Sequence, residues 1–195
     1  NVEPSLLYLD LIESDALNTD FRARMQRWRL GSGSLRMNVA LSALPDFRCA
    51  PGAHAQPHHG AGIILAPSLA YMDRAWSDAR VQGWGAAPIV EMLIPSTLDS
   101  SLAPPGAHVA SLFCQHFSPV LPDGRSWDDA REAAADTVIA TVNEYAPNFR
   151  ASIIARQVFT PLDMEREFGL TRGDIFHGAL GLDQLFAARP MLGHG

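Results

Sequence analysis

A chain of 195 residues can build one well-buried core, or at most two small ones. Its 47% apolar and 18% charged residues make a globular composition and exclude a disordered tail, and a net charge of −6 argues against nucleic acid as a partner. No apolar run reaches the roughly 18 residues of a bilayer span, and Asn1-Val2-Glu3-Pro4 has neither the basic flank nor the apolar stretch of a signal peptide.

The first expected element is a helix over residues 19–30. Asn18 or Thr19 can cap it, Phe21, Met25 and Trp28 recur at helical spacing, and Gly31 is placed to end it. From 34 to 43, Leu35, Met37, Val39, Leu41 and Ala43 alternate with Ser34, Arg36, Asn38, Ala40 and Ser42, which marks a half-buried strand. A loop rich in Pro, Gly and His runs from Pro45 to Gly60. A short strand at 63–66 follows, then a helix opened by Pro67-Ser68 whose Leu69, Met72, Trp76 and Ala79 keep helical spacing, with Gly83 and Gly85 as its stop.

Further strands are expected at 88–94 and 108–117, the latter apolar on both faces and therefore central. Ser126 opens a long helix with Trp127, Ala130, Ala134, Val138, Thr141 and Tyr145 on its buried stripe. A strand at 153–159 and a helix opened by Thr160-Pro161-Leu162-Asp163, with Gly169 past its end, complete the ordered part. The fold class read from this series is α+β: a mixed sheet with a β-α-β-β-α-β, ferredoxin-like core, extended by the strand at 34–43, with helices packed on one face. From Leu170 the glycines break any periodicity. Residues 1–169 thus read as one domain and 170–195 as a segment returning toward a part of the molecule beyond this sequence.

Arg22, Arg24, Arg27 and Arg29 crowd the first helix. Either they form a patch for phosphate, an anionic membrane surface or an acidic domain, or they are a solvated face; the solvated face is the reading favoured by how charge runs usually behave. Cys49 and Cys114 form no C-x-x-C pair, which favours a reducing, cytoplasmic compartment. His54, His58 and His59 make an H-x-x-x-H-H run, but Pro57 interrupts it, so a polar loop lining a cleft is expected in place of a metal site. His116, with His108 on the same strand face, is a second pocket candidate, so His58, His59 and His116 are the expected substrate-pocket residues. Asp128, Asp129, Glu132 and Asp136 read as a solvated helix side. Neither Gly31-Ser32-Gly33 nor Gly83-Trp84-Gly85 completes a dinucleotide fingerprint, and the sequence holds no G-x-S-x-G elbow, Walker motif or H-E-x-x-H.

Several stretches carry a family likeness. They are Leu35-Arg36-Met37-Asn38-Val39-Ala40-Leu41 with Leu44-Pro45-Asp46-Phe47, then Ala66-Pro67-Ser68, Pro95-Ser96-Thr97 and Ser101-Leu102-Ala103-Pro104-Pro105-Gly106. Pro161-Leu162-Asp163-Met164-Glu165, Gly173-Asp174-Ile175-Phe176-His177-Gly178 and Ala188-Arg189-Pro190 follow in order. The series resembles the C-terminal half of phytoene-desaturase-like FAD-dependent oxidoreductases, in particular the branch called pyridine nucleotide-disulfide oxidoreductase domain-containing protein 2. The resemblance implies the substrate domain of a two-domain flavoprotein, whose G-x-G-x-x-G segment and glycine-rich closing segment are absent from this sequence. It implies FAD in the intact protein and none on this portion alone, an apolar small-molecule substrate, and hydride transfer to flavin. It places the turn with Asp174, His177 and Gly178 nearest the cofactor. An unpaired domain face further implies self-association, with a weak membrane-surface contact through the arginine-rich helix. The alternative that the elements leave open is a non-enzymatic, ferredoxin-like module for ligand binding or dimerisation.

Overall fold

The computed structural model describes residues 2–31, 33–52 and 54–193. Ser32 of the Gly31-Ser32-Gly33 run, and His194 and Gly195 of the C-terminal segment, lie outside the described residues. After the short helix α1 (Pro4–Leu6), α2 spans Thr19–Gln26 and β1 Gly33–Leu41. The edge strand β2 (Ile63–Leu65) leads to α3 (Leu69–Gln82), and β3 (Trp84–Leu93) and β4 (His108–Phe117) follow. Then come α4 (Trp127–Tyr145), α5 (Phe149–Ser152), β5 (Ile153–Phe159) and α6 (Pro161–Phe168).

The fold is α+β around one open five-stranded sheet of order β2-β3-β4-β1-β5. Every pairing is antiparallel, so the mixed sheet expected from the sequence is not what forms. The ferredoxin-like order is present, with its members reassigned. Strands β1, β3, β4 and β5 with helices α3 and α4 make the β-α-β-β-α-β unit, and β1 lies inside it, between β4 and β5. The added strand is β2. The cause lies in the side chains: Leu35, Met37, Val39 and Leu41 are all buried and need neighbours on both sides, whereas β2 has only three residues and leaves Ile64 exposed.

Capping explains most boundaries. Asn18 accepts the Phe21 N–H at 2.8 Å, Ser68 the Tyr71 N–H at 3.1 Å and Ser126 the Asp128 N–H at 3.1 Å. Thr160 and Asp163 form a reciprocal capping box at the start of α6, and Gly169 closes that helix in the left-handed conformation. Helix α2 stops at Gln26, short of the expected residue 30, because Trp28 leaves the helix to donate its indole N–H to the His177 carbonyl at 3.1 Å.

Helix α4 lays Trp127, Ala130, Ala134, Val138 and Thr141 on the sheet face carrying Leu35, Met37, Leu112 and Val90. Its stripe is the one the spacing predicts, and this face holds the main core. Helix α3 departs from its expected phase. Tyr71, Ala75 and Ala79 are buried, while Leu69 is 84% exposed and Met72 and Trp76 lie largely open. Small Ala75 lets the helix approach Gly85 closely, and the Tyr71 hydroxyl reaches the Pro88 carbonyl at 2.9 Å. These contacts outweigh the hydrophobic spacing. They also set α3 against Ile89, whose side chain points away from the main core, so the helices do not share one face as expected.

Candidate functional site

Strand alternation that buries one side of the sheet leaves the other side open. Arg36, Glu91, Leu93, Ser111, Phe113 and Gln115 lie on it. Two adjoining hollows share Phe113. The first, about 340 Å³, has apolar walls of Trp76, Phe113, Phe176 and Leu180, with Ser34, Gln115 and His116 as its polar groups. The second, about 270 Å³, holds Arg36, Glu91 and Ile175. Arg36 stacks its guanidinium 5.8 Å from the Phe113 ring centre, and the Gln115 amide donates to the Glu91 carboxylate, so the polar floor is internally matched.

His116 owes its place to a β-bulge. Ser34 pairs with Gln115 and Gly33 with Phe117, which leaves His116 with no opposite residue. Its φ of 64° is left-handed, a conformation that costs a non-glycine residue about 1–2 kcal/mol. The bulge turns the imidazole off the face of Ala110, Leu112 and Cys114, where plain alternation places it, and into the aromatic hollow. There it meets Trp76 edge-on at 5.1 Å. Its Nδ1 is buried and has no hydrogen-bond partner among the described residues, and burial lowers its pKa. The wall of the hollow therefore carries an imidazole whose charged form is disfavoured by burial and whose buried Nδ1 is unpaired among the described residues.

The turn bearing Asp174, His177 and Gly178 closes the same hollow. Asp174 is buried, and its carboxylate accepts three backbone N–H groups: Gly31 at 2.6 Å, Phe176 at 2.9 Å and Gly178 at 3.1 Å. It is a brace that pins the turn to the segment entering β1. Gly178, at φ 145°, has no room for a side chain, since a Cβ there would sit 2.6 Å from the Trp28 ring. His177 also has a left-handed φ of 56° and a buried Nδ1 without a partner among the described residues. Its carbonyl is held by Trp28 and, at 2.9 Å, by Arg189. Arg29 pairs with Asp183 at 2.6 Å and Arg24 donates to the Asp183 carbonyl, so part of the arginine-rich stretch clasps the C-terminal segment.

His58 and His59 do not join His116. His59 is buried, its Nδ1 accepts the Gln56 N–H at 3.0 Å, and its Nε2–H reaches the Pro45 carbonyl at 2.9 Å. Both ring nitrogens are used, and the residue ties the 45–60 loop together. His58 borders a separate cavity beside β2. His54 is exposed, and among the described residues no three His, Cys, Asp or Glu side chains gather to hold a metal ion.

Sequence reading missed Trp76 and Phe113, the principal walls of the hollow. Helical spacing groups Trp76 with Leu69, Met72 and Ala79, and the burial of Tyr71, Ala75 and Ala79 turns it out toward the hollow. It also missed the ion pairs of α4. Arg131 grips Asp163 with two hydrogen bonds of 2.6 and 2.8 Å, Asp128 meets Arg166 at 3.0 Å, and Arg156 bridges Glu132 and Asp136. Burial alone would raise the Asp163 pKa, yet the hydrogen bonds from Arg131 and Thr160 bring it below its usual value.

Among the described residues, Gly33 does not sit in the glycine turn of a dinucleotide site. Such a site needs glycines that leave backbone N–H groups free to approach a pyrophosphate at a helix N-terminus. Gly33 instead abuts the Phe117 carbonyl, which a Cβ would meet at 2.7 Å, and runs straight into a strand. No protein-family model matches the chain.

The sequence does have long relatives. It is 39% identical over 196 aligned residues to pyridine nucleotide-disulfide oxidoreductase domain-containing protein 2 of Rattus norvegicus, and equally to that of Mus musculus. The alignments cover 98% of this chain and 34% of each relative. The chain thus spans about a third of the length of the curated relatives it matches. No helix among the described residues is long and apolar enough to cross a membrane.

Proposed function

We propose that this chain is the substrate-facing portion of a phytoene-desaturase-like, FAD-dependent oxidoreductase, with the flavin held by other parts of the intact protein. The observation that carries the reading is the open sheet face. One side of the sheet is sealed by α4, and the other presents an aromatic hollow whose wall carries a strained histidine with its Nδ1 unpaired among the described residues. Identity over nearly the whole chain to oxidoreductase-named proteins of three times the length supports the same reading.

On this reading FAD held elsewhere in the intact protein would supply the hydride-accepting chemistry. This chain's work is to bind an apolar substrate between Trp76, Phe113 and Phe176, to exclude water, and to orient one polar group against His116. The turn of Asp174, His177 and Gly178 forms the cofactor-side rim. Leu182 and Phe186, 92% and 90% exposed, belong to a face that the rest of the enzyme covers. The two cysteines are free thiols, which suits a cytoplasmic, reducing setting.

The test is to determine the coding sequence that flanks this chain. A G-x-G-x-x-G segment on a βαβ unit upstream is the expected result. A DNA-binding or kinase domain there would replace the enzyme reading with that of a ferredoxin-like binding module.

A further inference from the structure

A cavity of about 580 Å³ lies beside the edge strand β2, away from the hollow that holds His116. Its size is that of a small-molecule site, typically ~300–1,000 Å³. Phe47, Ile63, Leu65 and Pro67 give it apolar walls, Tyr145 borders it from α4, and Cys49 is an exposed free thiol at its edge. His58 is its distinctive member. The His58 Nε2 is buried and has no partner among the described residues, an expensive arrangement unless something meets it. The ring is also fixed in place. It packs 4.1 Å from His59, which two backbone contacts hold, and meets Phe47 edge-on at 5.7 Å. Burial, and then the neighbouring His59, lower the His58 pKa from its ordinary value, which disfavours the charged ring.

We propose that this cavity is a second small-molecule site, for an uncharged ligand with a flat apolar body and one hydroxyl or carbonyl group that hydrogen-bonds to His58 Nε2. The inference does not rest on the flavoprotein reading: the cavity touches the second hollow of the open face at Ile63 and Ile64, but Phe47, His58 and Tyr145 border only the cavity, away from Trp76, Phe113 and Phe176 where that reading places the substrate.

The probe is 2-naphthol, titrated into the full 195-residue chain and followed by the imidazole signals in nuclear magnetic resonance. Saturable shifts of the His58 signals are expected, with alkylation of Cys49 by iodoacetamide slowed severalfold at saturation. His58→Phe should weaken 2-naphthol by about fivefold, the worth of one neutral hydrogen bond, while leaving naphthalene binding unchanged. His58→Gln, which keeps a hydrogen-bonding group, should recover part of that loss, and this controls for damage to the fold. Equal affinity of 2-naphthol for wild type and His58→Phe would overturn the proposal. So would saturable shifts confined to His116, or Cys49 alkylation unaffected by the probe.

Discussion

The Asp174 carboxylate accepts the Gly31 backbone N–H at 2.6 Å across 143 positions of sequence. That bond joins the segment entering β1 to the segment leaving α6, and it sets the rim of the aromatic hollow. Asp174→Ala would leave three backbone donors without their acceptor in a buried place. Hydrogen bonds to a charged acceptor contribute roughly 1.5–3 kcal/mol each, so a loss of about 3 kcal/mol or more is expected in urea unfolding. A loss below about 1 kcal/mol would show that the turn is not braced this way.

His116 combines backbone strain with a pocket position, and two substitutions separate these. His116→Gly and His116→Ala both remove the imidazole, but only alanine keeps a Cβ at φ 64°. The glycine variant should be more stable by about 1 kcal/mol, measured by thermal or urea unfolding. In the intact enzyme both should lower kcat/KM alike. An alanine variant as stable as the glycine one would remove the bulge from the account.

Acid should destabilise the fold in two windows. Burial lowers the pKa values of His58, His108 and His116 from their ordinary 6.5, with His59 adding to the effect at the first two. The unfolded chain then takes up protons first, so this stability is present above pH 6.5 and is lost as pH falls through the lower folded values. Asp163 acts in the same sense further down, its contribution present above its ordinary 3.8 and lost below it. Urea midpoints should therefore fall between about pH 7 and pH 5, then again below about pH 4. A midpoint that rises or holds steady over the first interval contradicts the assigned burial of these rings.

Much of this architecture is legible in the sequence because local rules and tertiary packing agree there. The alternation of Leu35 to Leu41, the stripe of α4 and the Thr160–Asp163 capping box each report a local pattern that the packed structure keeps. The site is less legible because it sits where the rules conflict. Alternation places His116 on the buried face, and one inserted residue overrides it. Hydrophobic spacing places Trp76 inside, and the close approach of Ala75 to Gly85 rotates it out. His59 shows the reverse failure: a polar residue in a loop looked available, yet two backbone partners 14 and 3 positions away consume it.

The face bearing Leu182 and Phe186 leads to a separate expectation. Contiguous exposed apolar surface tends to be covered by a partner. The isolated chain should self-associate as its concentration rises, and light scattering should report a mass above 21.2 kDa. Leu182→Glu with Phe186→Glu should restore the monomer. A clean monomer of the unsubstituted chain at high concentration would mean that this face needs no partner.

The most direct measurement is a calorimetric titration of FAD into the isolated chain. With Gly33 and Gly85 packed against neighbouring backbone and Gly33 leading straight into β1, the chain should give no saturable binding. Tight, one-to-one binding of FAD would contradict the account, because the polypeptide would then hold by itself the cofactor that the rest of the enzyme is proposed to supply.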